Sequence, residues 1–471
     1  MTLAVNPLAR PGTPIRLMAV LVVLALAVAM LTLSNWIIAV AVLLLGLGAI
    51  ARPMEPFPGL VLVAAAATFV NDEGGHLTRE LSAVTAMLIY ALVALAAAAA
   101  AGTWRLPRTK LTLALGFLAI TTAMAAVLGL ALGNSVRFLG LELMPMLALY
   151  FALLVGGIRV SERDVKLALV LFVVVGLAHF GLGIYSYAIN KVRTGGIFFT
   201  PVTGMMALLT LSLALFAKGA RPRGWMILLT CLFLVHQLIS FARGYWFGLL
   251  AALPYLFVVY IRRGEGMRTR IKKVGFALAW VALLVGVGVV VLSVWFGWTD
   301  IASLLLTRVA SSVGTEASSQ TASNIERLVE YRASLRSIAS SPLVGHGLGY
   351  TLQIHQPIFN VITTQWFVHQ TYLWLLLKEG VLGLTAYLLV LVAAVRAGTI
   401  GALRSEGAVA GWCAASAACT IYLAGIGLTN FSLVQVNSTF LLGLLWGLSL
   451  SLTHVPGYLI RWRIVPGPAV A

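Results

Sequence analysis

Apolar residues run through this chain in long blocks separated by short polar or glycine-rich breaks. A helix crossing a bilayer needs roughly 20 mostly apolar residues. Blocks of that kind occupy about 17–34, 36–51, 57–71, 81–101, 111–132, 141–157, 166–186, 203–217, 225–241, 244–261, 274–297, 380–395, 408–428 and 437–453. The pattern predicts an all-α polytopic integral membrane helix bundle of about 12–14 transmembrane helices, because only closed hydrogen-bonded structures survive in hydrocarbon. One interval breaks the rhythm. Residues 298–379 are polar enough to leave the membrane, and they divide the bundle into a first part, 1–297, and a C-terminal part, 380–471.

Inside that interval two stretches carry helical periodicity. The first reads SNIERLVEYRASLRSIASSPLVGHGLGY from Ser323. Ser323 with Glu326 three residues on predicts a capping box, and Ile325, Leu328, Leu335 and Ile338 form an apolar stripe. Pro342 and the glycines Gly345, Gly347 and Gly349 then predict a tight turn. The second stretch, WFVHQTYLWLLLKEG, predicts a short amphipathic helix at the membrane interface that carries His369, with Trp366, Tyr372 and Trp374 as belt aromatics. Together they predict a helical loop domain outside the cytoplasm.

Composition agrees with the pattern. The chain is 61% hydrophobic and 10% charged, where a soluble fold needs about a quarter charged residues. Its mean hydropathy is +1.00. The three cysteines, Cys231, Cys413 and Cys419, all lie in apolar runs and imply no disulfide framework. The N-terminal MTLAVNPLARPGTPIR is followed by no small-residue cleavage site, so the first apolar run reads as a retained helix.

The net charge of +18 is largely a topology signal. Lys and Arg gather in the short connections 103–110, 158–166, 218–224 and 261–273, with Arg10, Arg16, Arg396, Arg404, Arg461 and Arg463 on the same side. The acidic segment 71–80, residues 187–202 and the long loop fall on the other. Cytoplasmic loops carry the basic excess, which predicts both termini in the cytoplasm and the long loop outside. Cations dispersed in this way, without a patch interleaved with aromatics, argue against a nucleic-acid partner. No repeat relates the two halves, which argues against a transporter built on inverted repeats.

The cations left over on the external side are candidates for chemistry. Arg243 and Gly244, in SFARGYWFG, sit in a hairpin with almost no loop, where Arg243 either points into the bundle or snorkels outward. His236 lies seven residues earlier, on the same helical face. Arg193, in KVRTGGIFFTPVTGMMALL, is either an anion contact beside Gly195 and Gly196 or a solvated loop charge. Arg327 and Tyr331 are one helical turn apart and can face one site, whereas Arg332 and Arg336 form a separate i, i+4 pair. A histidine titrates near neutrality, so His369 can accept a proton from an attacking hydroxyl, or it can serve as a hydrogen-bonded structural residue. Asp72 and Glu73 could hold a metal ion or form a solvated turn.

Four stretches in fixed order, RTGGIFFTPVTGMMALL, SFARGYW, ERLVEYRASLRSIASSPLVGHGLGY and VHQTYLWLLLKEGVLGL, resemble the O-antigen ligase and polymerase superfamily of bacterial membrane proteins. The resemblance covers about residues 190–395. The family's arginine, aromatic four residues on, proline and glycine pair fall on Arg327, Tyr331, Pro342, Gly345 and Gly347, its Arg-Gly pair on Arg243 and Gly244, and its histidine on His369. Gln370 stands where many members have asparagine. The resemblance implies a GT-C-like, metal-independent transferase with no cofactor, working at the outer face of the bacterial inner membrane. It implies a glycan on undecaprenyl pyrophosphate as donor, and as acceptor a sugar hydroxyl on lipid A core, or on a second lipid-linked glycan in a polymerase. Arg243, Arg327 and Arg193 would stabilise the pyrophosphate, with Tyr331, Arg332, Gly345, Gly347 and Gln370 around the substrate. His369 would deprotonate the acceptor, giving inversion. A lipid-glycan flippase is the alternative outside enzymology, and its cations would line a cavity open to both sides.

Overall fold

The computed structural model describes residues 57–69, 77–100, 102–190, 201–216, 220–240, 242–263, 266–295, 319–356 and 361–454. They form thirteen α-helices, one 3-10 turn (Ser432–Val434) and a two-stranded hairpin. In chain order the helices are α1 (Phe57–Ala67), α2 (Leu77–Ala100), α3 (Lys110–Ala131), α4 (Val136–Gly156, broken at Tyr150), α5 (Glu162–Asn190), α6 (Val202–Phe216) and α7 (Ala220–Ile239). Then follow α8 (Arg243–Ile261), α9 (Met267–Trp295), α10 (Ser319–Ser340), α11 (Thr371–Arg404), α12 (Gly407–Ile426) and α13 (Val436–His454). Among the described residues seven helices, α3, α4, α5, α8, α11, α12 and α13, are long and apolar enough to cross a membrane, and Phe57–Ala67, Val84–Ala100 and Val202–Phe216 are shorter apolar helices. The helices α7 and α9 occupy two further expected spans. The expected spans 17–34 and 36–51 lie outside the described residues.

The bundle is organised around α12 and α13, which are buried on nearly every face. Burial on all sides requires small residues where helix backbones meet, because lipid tails compete equally well for bulky apolar groups. Gly425 lies against Gly248 of α8, and a side chain added at Gly398 of α11 would strike the carbonyl of Cys413. The three cysteines are free and buried, as their apolar settings predicted.

The basic connections share one end of the bundle. Trp104 pairs with Ile158, and Ser451 Oγ donates to the Ile158 carbonyl at 2.7 Å. The Arg263 guanidinium lies over the Phe216 ring at 5.3 Å. At the other end, α10, the hairpin and the loop between α12 and α13 come together.

The segment between α9 and α11 departs from expectation in three ways. First, α10 begins at Ser319, so Ser323 lies inside the helix and no capping box forms there. Second, three of the four residues of the apolar stripe face outward: Ile325, Leu328 and Leu335 are exposed and only Ile338 packs against the core, while Glu330 and Ser334 are buried. Third, Leu352–Gln356 and Val361–Gln365 pair as antiparallel strands, in the register Leu352↔Gln365. His369 stands in the loop after these strands rather than on an interfacial helix. The expected belt residue Trp374 is 2% exposed, packed in the bundle, and Tyr372 donates to the Ala424 carbonyl at 2.7 Å.

A kink in α11 holds this region to the membrane helices. Gly380 breaks the helix with φ 65° and ψ −167°, which frees backbone groups that hydrocarbon cannot solvate. The turn 341–350 takes them up. His346 and Gly347 donate to the carbonyls of Leu377 and Lys378, while Val381 and Leu382 donate to those of Pro342 and Leu343. A Cβ at Gly345 would sit 2.5 Å from the Lys378 carbonyl oxygen, and one at Gly347 would sit 2.3 Å from Gly129 N. Both residues have positive φ. Gly345 and Gly347 are thus needed for close backbone packing, and their N–H groups donate within the protein.

The same docking carries a buried ion pair. Lys378 Nζ contacts the Glu142 carboxylate, and both side chains are fully buried. Lys378 also donates to the Tyr350 carbonyl, and Glu142 accepts from Gly349 N–H. Charges so buried persist only when their remaining hydrogen-bonding positions are filled, and both sets of partners come from the turn.

Candidate active site

The loop 427–431, between α12 and α13, is the meeting point of the candidate residues. Gly244 opens the first turn of α8 against it, so close that a side chain there would lie 2.5 Å from Thr429 Oγ1. Arg243 therefore stands at the α8 N-terminus beside this loop, half-buried. From α10, Arg327 Nη1 donates to the Thr429 carbonyl at 3.2 Å. From α11, Thr371 N–H donates to the Gly427 carbonyl, and Thr371 Oγ1 donates to the Asn430 carbonyl at 2.9 Å. Arg243, Arg327 and the residues following His369 thus converge from three separate helices.

The decisive contact was not legible in the sequence. Glu330, one turn after Arg327 on the inward face of α10, is 3% exposed and grips His369 twice. One carboxylate oxygen accepts the His369 backbone N–H, and the other lies 2.7 Å from Nδ1. A carboxylate can only accept here, so Nδ1 donates, and in the neutral ring Nε2 then presents a lone pair. The imidazole packs edge-on to Phe367 at 5.1 Å, and Phe367 stacks on Phe431 at 5.0 Å. Trp366 stacks on Phe138 of α4 at 5.9 Å. Ring orientation is thus held by the carboxylate on one side and aromatics on the other, while the side chain stays 34% exposed. The signal that could have found Glu330 is the polar spacing Arg327, Glu330, Ser334 and Ser337, one face of a helix otherwise assumed to turn its apolar stripe inward.

The other expected positions divide. Tyr331 is half-buried on the Arg327 side of α10, and its hydroxyl pKa is raised by burial, with Arg327 opposing and Glu330 reinforcing. Gln370 is the N-cap residue of α11, beside His369, and its side chain makes no capping bond. Arg332 is exposed with Arg336 on the outer face of α10, away from the side that carries Glu330. Arg193, Asp72 and Glu73 lie outside the described residues. Among the described residues no group of His, Cys, Asp and Glu is placed to hold a metal ion. His236 belongs to a separate buried network, with Thr203 Oγ1 2.9 Å from its Nδ1 and Gln237 beside it.

Two guanidinium groups, a carboxylate-held imidazole and an aromatic wall at one end of a membrane bundle suit transfer to a hydroxyl from an anionic leaving group. Residues 226–388 match the family model described as O-antigen ligase. Over that stretch, about a third of its length, the chain is similar to the O-antigen ligase family. The stretch matched by the ligase model contains Arg243, Arg327, Glu330, His369 and the 341–350 turn, and ends within α11. Comparison with curated proteins finds no match. Similarity to the ligase family over this stretch supports glycan transfer of the ligase or polymerase type by a multi-pass membrane protein, with lipid-linked glycan and lipid A core as the general class of partners.

Proposed function

We propose that this protein transfers a glycan from undecaprenyl pyrophosphate to a sugar hydroxyl of lipid A core, by direct displacement, at the periplasmic face of the bacterial inner membrane. The observation that carries this reading is the Glu330–His369 pair beside Arg327 and Arg243. His369 Nε2 takes the proton of the acceptor hydroxyl as its oxygen attacks the anomeric carbon. The bond from that carbon to the pyrophosphate oxygen breaks, and the leaving group departs with the electron pair. Attack opposite the leaving group inverts the anomeric centre.

Each group has a role in that step. Glu330 stabilises the imidazolium that forms and holds the ring so that Nε2 faces the acceptor. The guanidinium forks of Arg243 and Arg327 bind pyrophosphate oxygens in pairs, supplying without a metal the charge that the leaving group develops. Preorganised charge of this kind is usually the largest catalytic contribution. The basic connections at the opposite end of the bundle support a cytoplasmic placement for that end, and therefore a periplasmic site. In this reading 298–379 is the periplasmic loop domain between the two membrane parts, 1–297 and 380–471.

The test is transfer in proteoliposomes supplied with undecaprenyl-linked glycan and either lipid A core or a second lipid-linked glycan. Product on lipid A core supports a ligase; chain growth on the second glycan alone would make the protein a polymerase. His369→Ala is expected to abolish transfer, and full activity in that variant removes the assigned base. Lipid translocation without any transfer would replace the enzyme by a flippase.

A further inference from the structure

The outward face of α10 has no role in the site, yet it is chemically distinctive. It presents Ile325, Leu328 and Leu335 beside the exposed Arg332 and Arg336. Leu335 is 54% exposed, and neither arginine has an ion-pair partner among the described residues. The apolar surface does not stop at the helix end. Leu343, 65% exposed in the turn that follows, is tied to Leu382 of α11 by a backbone hydrogen bond, and Leu382 is itself exposed. Leu382 lies on a helix long and apolar enough to cross a membrane, so the α10 face continues the exposed apolar surface of that helix where α11 kinks.

We propose that the outer face of α10 lies in the bilayer interface, its leucines among acyl chains and Arg332 and Arg336 on the phosphates of anionic phospholipids. An amphipathic helix with apolar residues and arginines side by side has this use: the apolar side chains enter the acyl boundary, and the cations reach the headgroups. The reversed polarity of α10 then has a cause. Its surroundings on that side are lipid, so the apolar stripe points away from the protein and Arg327 and Glu330 point in. One helix consequently holds a headgroup layer on one face and the candidate site on the other.

The test does not depend on transfer activity, so its failure is distinguishable from failure of the proposed reaction. Leu335→Cys in the full-length chain would be labelled with a nitrobenzoxadiazole fluorophore, the native cysteines being buried. The protein would be placed in vesicles of phosphatidylcholine and phosphatidylglycerol in which one lipid or the other is brominated. A cation at an anionic surface favours it by about fivefold. Quenching by brominated phosphatidylglycerol should therefore exceed that by brominated phosphatidylcholine by about twofold or more at equal mole fraction. Arg332→Gln/Arg336→Gln should bring the ratio to about one, while Arg332→Lys/Arg336→Lys should retain most of the preference. A ratio near one with both arginines present would overturn headgroup recognition. Quenching by aqueous iodide instead of brominated lipid, or by neither, would place this face in water or against protein and overturn the proposal.

Discussion

Replacing Glu330 by Gln tests the chemistry most directly. The carboxylate is buried and accepts two donors, the His369 N–H and Nδ1–H, the latter at 2.7 Å. Glutamine keeps the shape but offers one acceptor oxygen where two are needed. If that oxygen serves the backbone, the amide NH2 meets Nδ1, which must then accept, and the proton moves to Nε2 where it blocks the base. If it serves the ring, the His369 N–H loses its partner. In both arrangements the imidazolium formed during transfer loses a charged hydrogen bond worth about 1.5–3 kcal/mol. Each 1.36 kcal/mol is about tenfold in rate, so kcat should fall by between about tenfold and a hundredfold. KM for the donor should change little, because Arg243 and Arg327 remain. The assay is initial-rate transfer in proteoliposomes, with thermal stability followed by fluorescence-detected gel filtration. His369→Ala and the double variant complete a cycle: residues acting as one unit are strongly non-additive, so the double variant should be no slower than His369→Ala alone. A Glu330→Gln protein of unchanged stability and full kcat would refute the reasoning, as would a double variant slower than His369→Ala by the whole factor of the single change.

Further outcomes follow from the same geometry. Arg327→Lys keeps the charge but loses the fork that contacts Thr429, and kcat should drop by about tenfold or more, since a point charge cannot replace bidentate phosphate binding. Gly380→Ala puts a Cβ 2.3 Å from the Leu343 carbonyl oxygen at a positive φ, and strain of about 1–3 kcal/mol should appear as a lowered midpoint in thermal denaturation. Lys378→Met strands the Glu142 carboxylate in the bundle and should destabilise by about 3–5 kcal/mol, with Glu142→Gln/Lys378→Met recovering part of the loss in the same measurement. Transfer measured after dialysis against a chelator should equal that of the untreated protein, because in the proposed reaction the arginines supply the charge that a metal supplies elsewhere.

Helix positions were legible because the signal for a membrane span is local. Every described span coincides with an apolar block, from α1 at Phe57–Ala67 to α13 at Val436–His454, and hydrophobic length alone decides such an element. The residue types that gather near the loop 427–431 could also be named in advance, since an arginine in a tight hairpin or a histidine near a membrane boundary is costly enough to be conspicuous. The family match over residues 226–388 takes in three of the four stretches that carried the resemblance, while RTGGIFFTPVTGMMALL at 193–209 precedes it.

What pairs with what was not written locally. Periodicity showed that 319–340 has two faces, but the surroundings decide which turns inward, and a face reads the same whether lipid or protein will cover it. Glu330 meets His369 only because the chain passes through a turn and a hairpin first, and Lys378 meets Glu142 across most of the matched domain and beyond it. Nothing local marks Gly380 as a kink, because the hydrogen bonds it frees are taken up by the distant 341–350 turn. Amino-acid order alone thus determined the helices, the basic end and the types of group available for chemistry. The tertiary path decided their partners, because hydrogen bonds and ion pairs depend on distances of a few ångströms between segments that sequence spacing leaves free.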